Sequence, residues 1–155
     1  MIRAALIASL LLTAGLAHAQ ERKTGETLYV PIYSHLSHGN LSASGTPDRV
    51  LLSATVSVRN TDPVYPIRLR FARCYDTDGK LVRDQQAAGP VIPPMATVEY
   101  FVEVRDTTGG SGANFLIGWE ADAPVSPPLV ESVNVSLRGS QSIAFTSRAV
   151  AVPAE

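Results

Sequence analysis

Cysteine is almost absent from this sequence. Cys74 is the only cysteine among the 155 residues, so no disulfide can form within the chain. The stability of the folded protein must therefore come from a packed core. Two interpretations of Cys74 remain open, a small buried side chain within a strand and a thiol that pairs with another chain.

Charge, aromatic residues and helical periodicity are also scarce. The formal net charge is −1, so nothing points to electrostatic binding of nucleic acid or of an anionic membrane. After the N-terminal segment, no stretch repeats apolar residues at the helical spacing of 3.6. Eleven prolines and eleven glycines instead favour many short strands joined by turns.

The first 19 residues have the three parts of a secretory signal peptide. One positive charge is followed by an apolar run and by Ala17-His18-Ala19, a pattern that precedes cleavage. The run is shorter than the roughly 18 to 20 apolar residues of a membrane span, although a retained anchor is the alternative. We expect a periplasmic or secreted product with no stable membrane span, folded as one domain over residues 20–155.

Residues 50–84 alternate, turn and alternate again, as a β-meander does. Apolar residues occupy every second position of residues 50–58, which is the period of a half-buried strand. Asp78-Gly79 between two extended runs predicts a tight hairpin. Ile67, Leu69 and Phe71 share a face, and a β-bulge near Ala72 is expected because it would keep Arg73 in solvent.

The remaining chain adds strands to a total of about eight. Pro31 predicts that the first strand is an edge strand, because proline cannot donate to a ladder. Residues 40–49 are expected to form an exposed loop. Trp119 is the best candidate for the centre of the core, and Phe101 falls on an outer face. The pattern predicts an all-β fold, a single antiparallel β-sandwich of immunoglobulin-like type, with a small β-barrel as the runner-up.

A later strand has a less regular pattern. Val133 and Val135 alternate with Ser132 and Asn134, and this alternation directs the valines inward. Glu131 is in phase with the valines and would turn inward with them, unless the strand simply begins at an exposed end.

Several stretches in order resemble a bacterial family known as domain of unknown function 3124. They are LYVPIYSH (28–35), RNTDP (59–63), YDTDGK (75–80), GGSGANF (109–115) and FTSR (145–148). The resemblance covers residues 27–150 and implies an exported or membrane-anchored protein, with no activity, substrate or cofactor to carry over. The family pattern has a tyrosine pair where this chain has Cys74-Tyr75, so it implies no required role for Cys74.

His35 and His38, beside Tyr33, are the candidates for a metal site. Zinc or copper would need a third or fourth ligand, from Met95 or a carboxylate. In an extended segment, residues three apart point to opposite faces, so a turn would have to bring the two imidazoles together. Ordinary loop histidines are the simpler interpretation, and we expect no cofactor.

The glycine-rich connection contains the other candidate binding residues, Gly110, Ser111, Gly112 and Asn114. Consecutive N–H groups in such a loop can bind an anion. A nucleophile elbow around Ser111 would need Gly-x-Ser-x-Gly between a strand and a helix, and Ala113 stands where the last glycine belongs. A long hairpin connection is the simplest interpretation.

The sequence therefore predicts a non-enzymatic module that binds an unknown protein or envelope component through loops at one end of a sandwich. An exposed apolar or aromatic patch, with Phe101 first, would support this hypothesis. A periplasmic metal-binding protein that uses His35 and His38 is the alternative. A hydrolase is the third, and it would need Ser111 or a carboxylate within hydrogen-bond reach of a histidine.

Overall fold

The computed structural model describes residues 21–85 and 89–153, so the predicted signal peptide lies outside the described residues. The strands, in chain order, are β1 (Lys23–Pro31), β2 (His35–Leu41), β3 (Pro47–Leu51), β4 (Ser53–Arg59), β5 (Ile67–Tyr75), β6 (Leu81–Asp84), β7 (Val91–Ile92), β8 (Thr97–Val102), β9 (Asn114–Val125), β10 (Leu129–Arg138), β11 (Gln141–Arg148) and β12 (Val150–Val152). This part of the chain contains no helix that could span a bilayer.

Ten of these strands form two antiparallel sheets that pack face to face. The large sheet has the order β12-β1-β9-β5-β6, with β7 beside the start of β5. The small sheet has the order β11-β10-β4-β8, and β2 and β3 form a separate hairpin. The prediction of an all-β sandwich is confirmed, since neither sheet closes into a barrel.

Trp119 on β9 is fully buried in the core, as predicted. Phe115 and Ile117, which alternate with outward residues on the same strand, are fully buried with it. Tyr100 on β8 of the small sheet stacks on Phe115, with ring centroids 6.0 Å apart. This pair joins the two sheets, because offset stacking of aromatic rings adds to the free energy of apolar burial.

The β-meander predicted for residues 50–84 is wrong in its first half. The Asp78-Gly79 turn does join an antiparallel hairpin, β5 with β6. β4 and β5, however, lie in different sheets, because residues 60–66 carry the chain across the sandwich. The apolar face of β4 is buried as expected, through Ala54, Val56 and Val58.

The prediction of an edge strand at Pro31 is also wrong. β1 lies between β12 and β9, and Pro31 is its last residue, beyond the three residues that pair with β12. The missing N–H therefore interrupts no pairing with β12. Residues 40–49 are exposed except for the partly buried Pro47, but five of the ten lie in β2 and β3, and residues 42–46 form the turn of that hairpin.

The predicted β-bulge exists, but at Arg70 and not at Ala72. The register of β5 against β9 shifts between Leu69 and Phe71. The extra residue moves Ala72 and Cys74 into the core, which is the effect that an inserted residue has on the alternation. The chain has twelve strands in its described part, more than the eight expected, because β2 is an additional strand and single residues, Leu52 and Ala149, separate β3 from β4 and β11 from β12.

The alternation of β10 is the reverse of the prediction. Ser132 and Asn134 are fully buried, whereas Val133 and Glu131 lie on the outer face and are partly exposed. The buried polar groups are paired: Ser132 Oγ donates to Pro31 O (2.7 Å), and Asn134 Nδ2 donates to Ser132 Oγ (3.3 Å). The bond from Ser132 to Pro31 ties the small sheet to the end of β1 in the large sheet.

Candidate interaction site

One end of the sandwich carries the predicted binding residues Tyr33, His35, His38, Gly110, Ser111, Gly112 and Asn114, whereas Met95, the other possible metal ligand, precedes β8 at the opposite end. β1 and β5 end there and β9 begins there, since Pro31 and Tyr75 both pair with Asn114. We call this the loop end, defined by residues 32–52, 76–81, 101–114 and 137–143.

Thr77, in the β5–β6 turn, holds the glycine-rich connection in place. The Thr77 hydroxyl donates to Gly109 O (3.1 Å) and accepts from Gly112 N–H (3.0 Å). The N–H of Thr77 also donates to Gly109 O (3.0 Å), and Gly110 N–H donates to Thr107 O (3.2 Å). The N–H groups of Gly110 and Gly112 thus bond within the protein and do not converge outward as an anion site requires.

Substitution of Gly110 tests this packing. Gly110 has φ +74°, and a Cβ there would clash with Thr77 Oγ1. Gly79 has φ +78° but open space around it, so it is a matched control for backbone strain alone. In chemical denaturation we expect Gly79→Ala to lower the free energy of unfolding by about 1 kcal/mol and Gly110→Ala by about 2 kcal/mol. Equal losses in the two variants would contradict a tight contact with Thr77.

Backbone hydrogen bonds connect the glycine-rich connection to the segment after β1. Ser34 N–H donates to Gly110 O (3.0 Å), and Leu52 N–H donates to Ser34 O (2.9 Å). Tyr33 N–H donates to Asn134 Oδ1 (3.0 Å). The loops of this end therefore form one hydrogen-bonded unit with the sheets, which holds them in fixed relative positions.

His35 and His38 lie on β2 and do not converge. Across the hairpin, His35 pairs with Leu51 and His38 with Asp48. Their odd separation on an extended strand places the two imidazoles on opposite faces. The described residues contain no group of three or more His, Cys, Asp and Glu side chains that could hold a metal ion.

Ser111 is exposed at the tip of the glycine-rich connection. Within residues 21–85 and 89–153, the one serine–histidine contact joins Ser34 Oγ to His35 Nδ1, 3.2 Å apart. Ser34 is buried and adjacent to His35 in sequence. The arrangement that the hydrolase hypothesis needs at Ser111 is therefore not assembled.

At the loop end, an ion pair joins β6 to the connection that follows β8. Arg83 Nη2 lies 2.7 Å from Asp106 Oδ2, and Asp106 Oδ1 accepts from the hydroxyl (2.6 Å) and the N–H (3.2 Å) of Thr108. These donors, the Thr108 hydroxyl first, lower the pKa of Asp106. Cys74 lies beneath this ion pair, and burial raises the pKa of its thiol to about 11, which disfavours the reactive thiolate form.

Several exposed apolar side chains also lie at the loop end. Phe101 on β8 is 59% exposed, Leu41 on the β2–β3 hairpin 69% and Leu137 on β10 77%. Val104 and Leu81 add two more exposed positions. An open cleft of about 330 Å³ lies beside Phe101, and its other lining residues are Arg83, Glu103, Arg105 and Asp106.

The roles of Thr77 and Asp106 were not found by sequence reasoning. Both residues sit in segments that read as ordinary turns. Their partners are distant in sequence: Thr77 and Gly109 are 32 positions apart, and Arg83 and Asp106 are 23 positions apart. The one signal in the sequence is a side-chain oxygen two or three positions before a glycine, Gly79 or Gly109, which is typical of turn residues.

The opposite end of the sandwich is organised by Asp62. Its side chain is 1% exposed and accepts four hydrogen bonds, from the N–H groups of Val64, Tyr65 and Ser126 and from Arg22. We call this the Asp62 end. It accounts for the RNTDP stretch as a structural motif.

A groove of about 460 Å³ also opens near the Asp62 end, between β1 and the start of β10. Leu28 and Val130 form its apolar floor, and Pro127 forms part of a wall. At its rim Lys23 is already paired with Glu26. None of the predicted binding residues lines it.

Comparison with known proteins places the sandwich in a family. The family model described as "Protein of unknown function (DUF3124)" matches residues 25–152. The chain belongs to this family. The DUF3124 match spans the sheets from β1 to β12, so both the loop end and the Asp62 end are part of it. The resemblance seen in the sequence is thereby confirmed.

Other comparisons add little. Among curated proteins no relative matches the chain. A crystal structure described as Thermotoga maritima 1070 has 10% sequence identity and a TM-score of 0.44, over 81% of this chain and 92% of that chain. A similarity at this level carries no argument about function.

Proposed function

We propose that this DUF3124 protein is an exported, non-enzymatic interaction module of the periplasm or cell envelope, which binds a protein partner through its loop end. The observation that carries the proposal is Phe101. It is the penultimate residue of β8 and is 59% exposed. A large aromatic side chain left in water at the edge of a cleft is a typical anchor for a partner, because its burial releases apolar surface.

The loop end as a whole fits a protein interface better than a small-molecule pocket. The exposed apolar side chains of Leu41 and Leu137 stand on two other segments of the same end. Charged side chains such as Arg105 and Glu103 line the cleft beside the aromatic ring. An apolar centre with a polar rim is the common anatomy of a protein–protein interface.

Rigidity of the loop end supports the same function. The Ser34–Gly110 and Thr77–Gly109 backbone bonds hold three connections in fixed positions. A surface that is already ordered loses less conformational entropy when it binds a partner. Export, for which the signal-peptide pattern is the support, places that partner in the envelope.

Affinity capture with variants tests the proposal. The protein, attached to a matrix, is exposed to a solubilised envelope fraction of its own source organism, and bound proteins are quantified by mass spectrometry. We expect a specific protein to be retained by the parent and reduced at least about tenfold by Phe101→Ser or Leu41→Ser, since one buried anchor contributes about 1.4 kcal/mol or more.

Val64→Ser is the matched control, because Val64 is 65% exposed but lies at the Asp62 end. It should retain the same protein as the parent. If the Val64 variant loses binding while both loop-end variants keep it, the loop end is not the interface. If nothing is retained by the parent beyond the bare matrix, the proposal fails.

A further inference from the structure

β11 is an edge strand without the protection that the other free edges carry. It pairs only with β10, and its eight residues run in unbroken register against residues 131–138. Its sequence, QSIAFTSR, contains no proline and a single charge, at Arg148. An edge with seven uncharged residues in a row, from Gln141 to Ser147, presents a row of unpaired N–H and C=O groups that can accept another strand.

The other free edges in the described part of the chain are shorter, charged or irregular. β12, β6 and β7 have three, four and two residues, too few to pair extensively. β8 has six residues and carries a charge, Glu99, in the middle of the strand. The β2–β3 hairpin has a register shift and Pro47. Each of these features discourages strand addition.

We propose that the partner of the β11 edge is a second copy of this chain, paired antiparallel across a two-fold axis into one eight-stranded sheet. In an antiparallel pair, directly opposed side chains lie on the same face of the sheet. The two-fold axis therefore lies between one residue and the same residue of the second copy. With Ala144 at the axis, Ile143 lies opposite Phe145 of the second copy. Pairs of β-branched and aromatic residues stabilise antiparallel strands.

Charge favours self-pairing of this edge. From Gln141 to Ser147 the strand has no charged residue, so no like charges oppose each other in the dimer. Arg148 of each copy lies four positions from the axis, on opposite sides. At about 3.4 Å per residue the two guanidinium-bearing positions are about 27 Å apart, well beyond the Debye length of about 8 Å in physiological salt.

The geometry of the dimer has a functional consequence. β11 begins at the loop end, and antiparallel pairing reverses one copy against the other. The two loop ends therefore face in opposite directions, which makes the dimer a two-headed connector. The dimer itself does not rest on the proposed function, because the pairing uses the β11 edge and leaves Phe101 on β8 uncovered.

The proposal is tested by sedimentation velocity, which gives the oligomeric state of the protein over a range of concentrations. The protein is expressed from its full sequence and purified in the form that the cell produces. We expect reversible dimerisation of the parent. Ala144→Lys and Ala144→Glu should each be monomeric at concentrations where the parent is a dimer, because each places like charges at the axis. An equimolar mixture of these two variants should dimerise again, since opposite charges then face each other.

Thr97→Lys is the control, because Thr97 is exposed on β8, the opposite edge of the same sheet. It should dimerise like the parent. Recovery of the dimer in the Lys and Glu mixture also shows that both variants are folded. A parent that is monomeric at every concentration, or a dimer that persists in both Ala144 variants, would overturn the proposal.

Discussion

Replacing Asp62 by alanine is expected to lower the midpoint of thermal unfolding by roughly 5 to 10 °C, because its buried carboxylate accepts four hydrogen bonds. The carboxylate accepts bonds from Val64 N–H and Tyr65 N–H at 2.9 Å and from Ser126 N–H and Arg22 Nη2 at 3.0 Å. Without the carboxylate, the partly buried N–H groups of Val64, Tyr65 and Ser126 lose their hydrogen-bond acceptor. Calorimetry of the variant measures the loss.

The same residue gives the fold a defined acid sensitivity. The N–H groups of Tyr65, Ser126 and Val64, assisted by Arg22, lower the pKa of Asp62 from 3.8 to about 2. Since the folded-state pKa lies below the unfolded-state value, the stabilisation is fully present above a pH of about 4. It is lost as the pH falls through that value toward about 2.

The pH dependence can be isolated with Asp62→Asn, which cannot ionise. Between pH 4 and pH 2 the unfolding midpoint of the parent should fall more steeply than that of the variant. Asp122→Asn is the control, because Asp122 is an exposed carboxylate on β9, and it should follow the parent. Parallel curves for the parent and Asp62→Asn would contradict the role of this carboxylate.

Asn134→Val is expected to destabilise the protein by about 1 to 3 kcal/mol, although it places an apolar side chain at a fully buried position. Asn134 Oδ1 accepts the N–H of Tyr33 at 3.0 Å, and valine leaves that N–H without a partner. Urea unfolding gives the free-energy difference, and amide hydrogen exchange at Tyr33 should accelerate in the variant.

Val133→Thr is the companion substitution, because Val133 is the outward neighbour on β10 and only partly buried. A change within about 0.5 kcal/mol is expected there. If Asn134→Val proved as stable as the parent, the hydrogen bond to Tyr33 would not be the reason that β10 turns its polar face inward.

Local alternation was sufficient to predict the core of β4 and β9. Val56, Val58, Phe115 and Trp119 occupy alternate positions of strands with one buried face, so their burial follows from the period of two. The Asp78-Gly79 turn was equally accessible, because φ +78° at Gly79 is a property of the turn itself. These features depend only on residues close in sequence.

The features that sequence reasoning missed depend on partners far along the chain. The polar side chains of Ser132 and Asn134 can be buried because Pro31 O and Tyr33 N–H form hydrogen bonds with them. Each of these partners is 101 positions away in the sequence. The assignment of β4 and β5 to different sheets likewise follows from where β9 and β10 lie. At the candidate site, the sequence identified the loops, but not Thr77, the residue that joins two of them.

Site-specific photo-crosslinking in the source organism is the measurement that tests the central claim most directly. A photoreactive residue is placed at Leu41, at the loop end, or at Val64, at the Asp62 end. We predict a discrete adduct with another protein from Leu41, lost on Phe101→Ser, and none from Val64; an adduct of two copies is distinguished by its mass. Adducts of equal yield from both positions, or from Val64 alone, would contradict an interface at the loop end.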